Sequence, residues 1–349
     1  MKILYAVQAT GNGHISRAME LMPYLSAYGE VDVFLSGSNS HLQPDLPVVY
    51  RSKGVSLFYG NTGGLDYRRI WKEFKLKRIW KEARDLPVEQ YDIVLNDFES
   101  ITALACRLKK VPSIGFGHQA SFQSRHTPRS SKKDPSGELV LKNYAPSKAY
   151  LGLHFKQYDD FICSPVIKQE ILQATPADKG HITVYLSHYS DEVVVNALNQ
   201  VKGIYFEVFS KKVEGPVSMG NVTLYPISNE AFTESLIHSH GVITGAGFET
   251  PAEALYLGKK LLVLPIRGQY EQLCNAAALK DFNVVVIDAI KTGFHFEVMK
   301  WLAGVPVKPL QLSHSTYEIV QKAIEMGREL ATSSSPVWNG RSPLSQSYS

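Results

Sequence analysis

The sequence predicts an α/β protein of two domains with parallel sheets, and three observations carry that expectation. Aliphatic, β-branched runs alternate with helical stretches along the chain, the pattern of helices layered on parallel strands. At 349 residues the chain is long enough for two cores. Two of its apolar strands also end in glycine turns that lead directly into helices, one at the N-terminus and one past the middle. No convincing short-period repeat is present.

Met1 to Val7 reads as the first strand, and Ala9-Thr10-Gly11-Asn12-Gly13-His14 as a glycine turn before a helix that begins near Ile15. As a dinucleotide fingerprint this turn is defective, because Ser16 stands where a third glycine belongs. The second apolar run, Val31 to Leu35, ends in Ser36-Gly37-Ser38 rather than in an acid placed to bind a ribose, so a nicotinamide site is disfavoured. A strand from Asp92 to Leu95 follows, then Asn96, Asp97 and Glu99 in one loop, then a helix through Ile101 to Leu108 that Asp97 or Ser100 could cap. The strand Pro112 to Ile114 leads into a loop, Gly115-Phe116-Gly117-His118-Gln119. Phe161 to Pro165 reads as the last strand of an N-terminal domain, 1–165, and Ala174 to Gly180 as a polar hinge.

The second domain, 180–312, opens with the strand Ile182 to Leu186 and the loop Ser187-His188-Tyr189-Ser190. Its most informative stretch is GVITGAGFETPAEALYLGKKLLVLPIRGQYEQLCNA, 241–276. A short strand, Val242 to Thr244, ends in Gly245-Ala246-Gly247, and a helix opens at Thr250-Pro251. Backbone N–H groups at such a helix start can face a phosphate. The strand Leu261 to Leu264, closed by Pro265, precedes Gly268-Gln269-Tyr270-Glu271-Gln272, a cluster of groups able to hydrogen-bond sugar hydroxyls. Each piece has a plainer reading: Thr250 and Glu253 as a capping box, Glu271 and Asn275 as a solvated helix face.

In this order and spacing the stretch resembles the C-terminal half of GT-B glycosyltransferases, in particular the UDP-glycosyltransferases and the lipid-acceptor N-acetylglucosaminyltransferase of peptidoglycan synthesis. The resemblance implies two Rossmann-like domains facing across a cleft. It places Gly245, Ala246, Gly247, Phe248, Glu249 and Thr250 at the donor, gives Glu253 the ribose hydroxyls, and gives Glu271 with Gln272 the transferred sugar. Ser187, in the loop that lies beside the donor diphosphate in the family, is a further donor contact. Glu271 stands where plant-type enzymes more usually have Asp, which leaves the sugar open. Gly11, Asn12, Gly13 and His14 match the family's opening turn, with His14 at the mouth of the cleft; His118 and Gln119 fall on the acceptor side. A terminal helix, 313–330, is expected to cross back to the first domain, with 331–349, rich in Ser and Pro, a disordered tail.

Imidazole titrates near pH ~6.5, so a neutral His14 could take a proton from an acceptor hydroxyl. Such a base needs a partner to fix its tautomer, and either Asp97 or Glu99 could supply it. The expectation is thus a metal-independent inverting transfer from a nucleotide-sugar donor, UDP-linked, to a hydroxyl acceptor such as a glycolipid or cell-envelope glycan. No cofactor is called for, and the chain has no Asp-x-Asp sequence of the kind that anchors a metal-bound diphosphate. A nucleotide-sugar 2-epimerase of the same fold, or a non-catalytic nucleotide-sugar-binding or membrane-surface protein, are the competing readings.

Three scattered cysteines, Cys106, Cys163 and Cys274, argue against a disulfide framework or zinc site and for a cytoplasmic setting. No apolar run reaches the roughly 18–20 residues of a membrane span. The net charge of +4 is modest but uneven: from Tyr67 through Arg84 eight Lys or Arg stand against two Glu, with two tryptophans. Such a run could meet the inner face of an anionic membrane or guide a lipid-phosphate acceptor. No nucleic-acid recognition motif accompanies it.

Overall fold

The computed structural model describes residues 1–9, 11–37, 45–54 and 76–334. The first sheet is built from β1 (Lys2–Gln8), β2 (Glu30–Ser36), β3 (Val48–Ser52), β4 (Ile93–Asp97), β5 (Ile114–Gly117), β6 (Ala149–Leu153) and β7 (Ile162–Cys163). All its pairings are parallel, in the order β3-β2-β1-β4-β5-β6-β7. The second sheet comprises β8 (His181–Tyr185), β9 (Tyr205–Ser210), β10 (Val217–Met219), β11 (Val222–Pro226), β12 (Gly241–Thr244), β13 (Lys260–Val263) and β14 (Val285–Val286). Its order is β10-β11-β9-β8-β12-β13-β14, and only the short β10 edge pairs antiparallel.

β1 shows why the runs are so apolar: Ile3, Tyr5 and Val7 enter one cluster and Leu4 and Ala6 another, so both faces of the sheet are covered. The first cluster continues from beneath β1 through Phe155 and Phe248 to Val242 and Leu261 of the second sheet. The two sheets therefore share packed apolar surface.

Strand order reverses between β1 and β4 in the first sheet and between β8 and β12 in the second. In open α/β sheets the crevice at the carboxyl ends of strands flanking such a reversal is where ligands bind, because the loops there diverge to opposite faces. The two turns singled out in the sequence follow β1 and β12, one at each reversal.

Several boundaries differ from expectation. The first helix runs Asn12–Ser26, so the residues read as a turn form its opening, and Ile15, Ala18, Leu21 and Leu25 set its buried face. Gly115 to Gly117 belong to β5 rather than to a loop. The Leu76–Asp85 helix buries Ile79 and Ala83 but exposes Leu76 and Trp80; the rest of the basic run, 67–75, lies outside the described residues. The terminal helix extends over Thr316–Ser334, so 331–334 are helical, while 335–349 lie outside the description. Among the described residues no helix is long and apolar enough to cross a membrane.

That terminal helix packs on the first sheet, with Ile319, Val320, Ala323 and Ile324 buried against it. Gly327 makes the closest approach: a Cβ there would stand 2.7 Å from Ile93 Cδ1, with Cγ1 and Cγ2 of the same β-branched side chain within 3.0 Å. Gly327→Ala would improve helix propensity by about 1 kcal/mol. Overpacking against Ile93 costs typically about 1–3 kcal/mol and should win, so the variant is expected to unfold at lower urea than wild type. An unchanged or raised midpoint would show that the helix does not seat on β4 this closely.

Candidate active site

The first half of the site is a buried carboxylate and the groups that neutralise it. Asp97 closes β4 with no solvent exposure. Its Oδ1 lies 2.8 Å from His14 Nδ1, and Tyr5 Oη donates to Oδ2 at 3.3 Å. Arg17, one turn after His14 on the same helix, donates from Nε to Oδ2 at 3.1 Å and from one terminal nitrogen to both oxygens at 2.8 Å. Local backbone makes room for this. Phe98, directly after Asp97, has φ +57°, and Gly117 has φ +100° in a place where a Cβ would come within 2.9 Å of Asp97 Oδ1.

Glu99, the alternative partner, is committed elsewhere. It is the cap of the Ser100–Lys109 helix, accepting from the N–H of Ile101 at 2.9 Å and of Thr102 at 2.6 Å. Asn96 clasps the same turn by accepting from Glu99 N–H at 2.6 Å. The cap is thus Glu99 and not Asp97 or Ser100, which leaves Asp97 free to face His14.

The electrostatics follow from these contacts. Burial alone would raise the Asp97 carboxyl, but Arg17 and His14 outweigh it and hold Asp97 below the usual carboxylate range. Burial pushes His14 down; the Asp97 carboxylate overcomes this, against the opposing charge of Arg17, and the ring titrates above its ordinary value. His14 Nδ1 also lies 3.0 Å from an Arg17 terminal nitrogen; an Nδ1–H given to the Asp97 carboxylate would leave the basic lone pair on Nε2, 3.5 Å from the Gln119 side-chain amide.

The second half is built on β8, β12 and the helices after β12 and β13. Gly245 to Phe248 follow β12, and the Glu249–Tyr256 helix starts one residue before Thr250 without a side-chain cap. The capping-box reading does not hold, since Glu253 is buried in mid-helix and pairs with Lys168 Nζ at 3.4 Å. Burial raises its carboxyl, with Lys168 opposing. Gln272 Oε1 accepts from Ile266 N–H at 2.9 Å and lies 3.5 Å from where a Cβ on Gly245 would be, so it borders the loops after both β12 and β13. Asn275 is fully buried, not on a solvated face, and donates to Ala246 O at 3.1 Å. Ser187 is exposed in the turn after β8.

Residues from the two sheets meet directly. Arg17 donates to the Glu249 carboxylate as well as to Asp97, and Gly13 allows the approach, because a Cβ there would stand 2.7 Å from Glu249 Oε2. Gln119 donates to Glu271 Oε2 at 3.0 Å. His118 is buried, with Nδ1 3.0 Å from Leu153 O and Nε2 2.8 Å from Asn275 Oδ1, and its ring stacks on Phe248 at 4.0 Å. Burial lowers the His118 pKa, so the neutral ring has one N–H for these two oxygens; lying between them and against Phe248 it ties the halves together, and Gln119 is the neighbour that reaches His14 and Glu271.

Between the first helix and the second sheet lies a cleft of about 540 Å³. Tyr185, Phe209 and Phe232 give it an aromatic wall, while Asn12, Glu249 and Glu253 line it with polar groups. Gly11, ahead of Asn12, has open space around its Cα. An apolar wall with a few convergent polar groups is the usual make-up of a small-molecule site. Arg17 and Lys168 are the residues that sequence reasoning missed. Arg17 had a usable signal, the three-residue spacing from His14 that puts both on one helix face. Lys168 had none.

Among known proteins, the sequence model of glycosyl transferase family 1 matches residues 1–305. Curated protein sequences contain no match to this chain. Similar solved structures include the spinosyn forosaminyltransferase SpnP, at 14% identity and TM-score 0.58, covering 94% of this chain and 99% of that one. Arabidopsis thaliana UGT89C1 complexed with UDP-L-rhamnose aligns at 12% identity and TM-score 0.58, over 95% of this chain and 99% of that one. LpCGTa in complex with UDP aligns at 13% identity and TM-score 0.55, over 95% and 94%. At such identities the structures speak to fold alone, and the fold they share with these two facing sheets is GT-B. The family match covers most of the chain, and the protein therefore belongs to glycosyl transferase family 1.

Proposed function

We propose that this glycosyltransferase moves a sugar from a UDP-linked donor to an acceptor hydroxyl with inversion and without a metal ion, the acceptor being a carbohydrate or lipid-linked glycan. The observation that carries the reading is the His14–Asp97 pair at the junction with Gln119 and Glu271. A base with its Nδ1 proton fixed on a buried carboxylate keeps Nε2 for the incoming hydroxyl. The sugar sits between that nitrogen and the Glu271–Gln272 helix start, so the hydroxyl attacks the anomeric carbon opposite the departing diphosphate.

The diphosphate is met by backbone amides at the start of the Glu249–Tyr256 helix, which carry the positive end of its dipole. Arg17, shared with Asp97, pairs with Glu249 and draws that carboxylate toward the first helix. The nucleoside lies in the aromatic cleft with Glu253 on the ribose. The solved complexes of neighbours with UDP and UDP-L-rhamnose support a uridine donor. Release of an epimer on incubation with UDP-N-acetylglucosamine alone would overturn transfer in favour of epimerisation.

His14→Ala is expected to cut turnover by roughly 10²- to 10⁴-fold while UDP affinity stays within a few-fold of wild type. Because Asp97 raises the His14 pKa, the ring stays protonated to higher pH than a free imidazole. The acid limb of the wild-type rate should accordingly turn down above pH ~6.5 as pH falls, and Asp97→Asn should move that limb lower. A variant His14→Ala that turns over at wild-type rate with both substrates saturating would end this mechanism.

Arg17→Met removes the cation from a buried pair and leaves Asp97 with only His14 and Tyr5 as partners, a loss of about 3–5 kcal/mol by chemical denaturation. Glu249→Gln, on a side chain still 22% exposed, should cost much less. Equal losses would mean that the link between the halves, rather than Asp97, needs the arginine.

Glu253→Gln keeps the side-chain size but removes charge-assisted hydrogen bonds to the ribose, each worth roughly 1.5–3 kcal/mol. UDP binding by calorimetry should weaken at least about tenfold, and equal affinity in the variant would remove Glu253 from the donor site.

A further inference from the structure

The donor cleft contains an ion pair that the transfer chemistry does not require. Glu253 is buried in the middle of its helix, 4% exposed at the side chain, and takes no capping hydrogen bond. Its neighbour is Lys168, which lies in the segment between β7 and β8 and is itself only 13% exposed at the side chain. Lys168 Nζ stands 3.4 Å from Glu253 Oε1 and 3.5 Å from Thr233 Oγ1. Among the described residues lining the cleft it is the only lysine or arginine.

We propose that Lys168 is a positioning residue of the donor cleft: it holds Glu253 as a carboxylate and thereby makes the cleft select nucleotides that carry both ribose hydroxyls. The inference rests on the donor reading given above and adds a determinant to it. A carboxylate can accept from two neighbouring hydroxyls at once, whereas a protonated carboxyl must spend one oxygen as a donor. An isolated carboxylate buried this deeply takes up a proton instead of remaining charged.

The other charges around Glu253 push the same way. Glu249, one turn earlier on its own helix, and Glu20 from the first helix are both acids that disfavour its ionisation, and Arg17 is spent on Glu249 and Asp97. Glu20 also accepts from the backbone N–H of Gln169 at 3.0 Å, which holds the Lys168 segment against the first helix. Lys168 is the cation that opposes burial at Glu253. Without it the carboxyl would ionise only at higher pH, and the loss of ribose recognition should be reversible by raising the pH.

The test uses the full chain, UDP and 2′-deoxy-UDP, with calorimetry from pH 6 to 8.5. Wild type should prefer UDP by about tenfold or more. Lys168→Met should bind UDP about tenfold more weakly at pH 7 and lose the preference, with both returning toward wild type as pH rises; Lys168→Arg should retain them. A loss that is flat in pH would assign Lys168 to structure, and undiminished binding and preference in Lys168→Met would overturn the proposal. Equal wild-type affinity for the two nucleotides would overturn it as well. If Lys168→Met does not fold, Lys168→Gln decides by the same readouts: a preference lost at pH 7 and regained as pH rises supports the role, and a preference equal to wild type at every pH refutes it. Wild type that binds neither nucleotide would instead sink the donor reading itself.

Discussion

Asp97 is a carboxylate with no contact to water, and the arrangement of this molecule around the cleft follows from keeping it ionised. Taking such a charge out of water costs several kcal/mol unless cationic donors surround it. Arg17 supplies the fork, His14 the third partner and Tyr5 a neutral donor, all from β1 and the helix that follows it. Satisfying Asp97 draws the opening of that helix, and so the whole glycine turn, over the end of β4. The same arginine then has one arm left, and it is met by Glu249 from the opposite sheet. One buried charge thus fixes the position of the His14 ring and a contact between the two halves.

The junction between the sheets shows how polar groups and apolar packing divide the work. Phe155 and Phe248 make the apolar cluster continuous across it, and His118 lies against Phe248 with its nitrogens facing opposite halves. Beside that packed centre, Gln119–Glu271 and Arg17–Glu249 are directional contacts between the halves. The apolar contact gives cohesion without specifying register. Hydrogen bonds specify it, because each loses its geometry if the halves slide.

Much of this was legible in the sequence, for reasons that can be named. The strands β1, β4, β8, β12 and β13 announce themselves because both faces of a parallel sheet are buried, which makes their sequences continuously apolar. The turns after β1 and β12 are legible because close backbone approach demands glycine, as Gly13 beside Glu249 shows. What could not be read depends on direction and distance. Three polar side chains crowd the loop after β4, and the one that faces His14 is chosen by the left-handed backbone at Phe98, which no local rule assigns to phenylalanine. Lys168 leaves no local pattern, since its burial is compensated by a partner far along the chain, and the spacing of Arg17 from His14 shows a shared helix face but not the distant carboxylates that Arg17 pairs with. Asn275 carries a plain surface reading beside its place in the motif, because polar residues at helical spacing are usually exposed, and its burial against Ala246 is set by packing that spacing does not show.

The Thr316–Ser334 helix returns the chain to the sheet on which it began, and Gly327 lets it lie directly on Ile93. During synthesis, β1 to β7 are all made before any part of the second sheet, yet one face of β4 stays uncovered until this helix emerges. The first sheet is therefore the earlier to be translated and the later to be finished, and the second sheet must form while its partner still exposes apolar surface. A chain wound this way leaves the packing of the half that carries His14 and Asp97 incomplete until the half that carries Glu253 and Glu271 has been made.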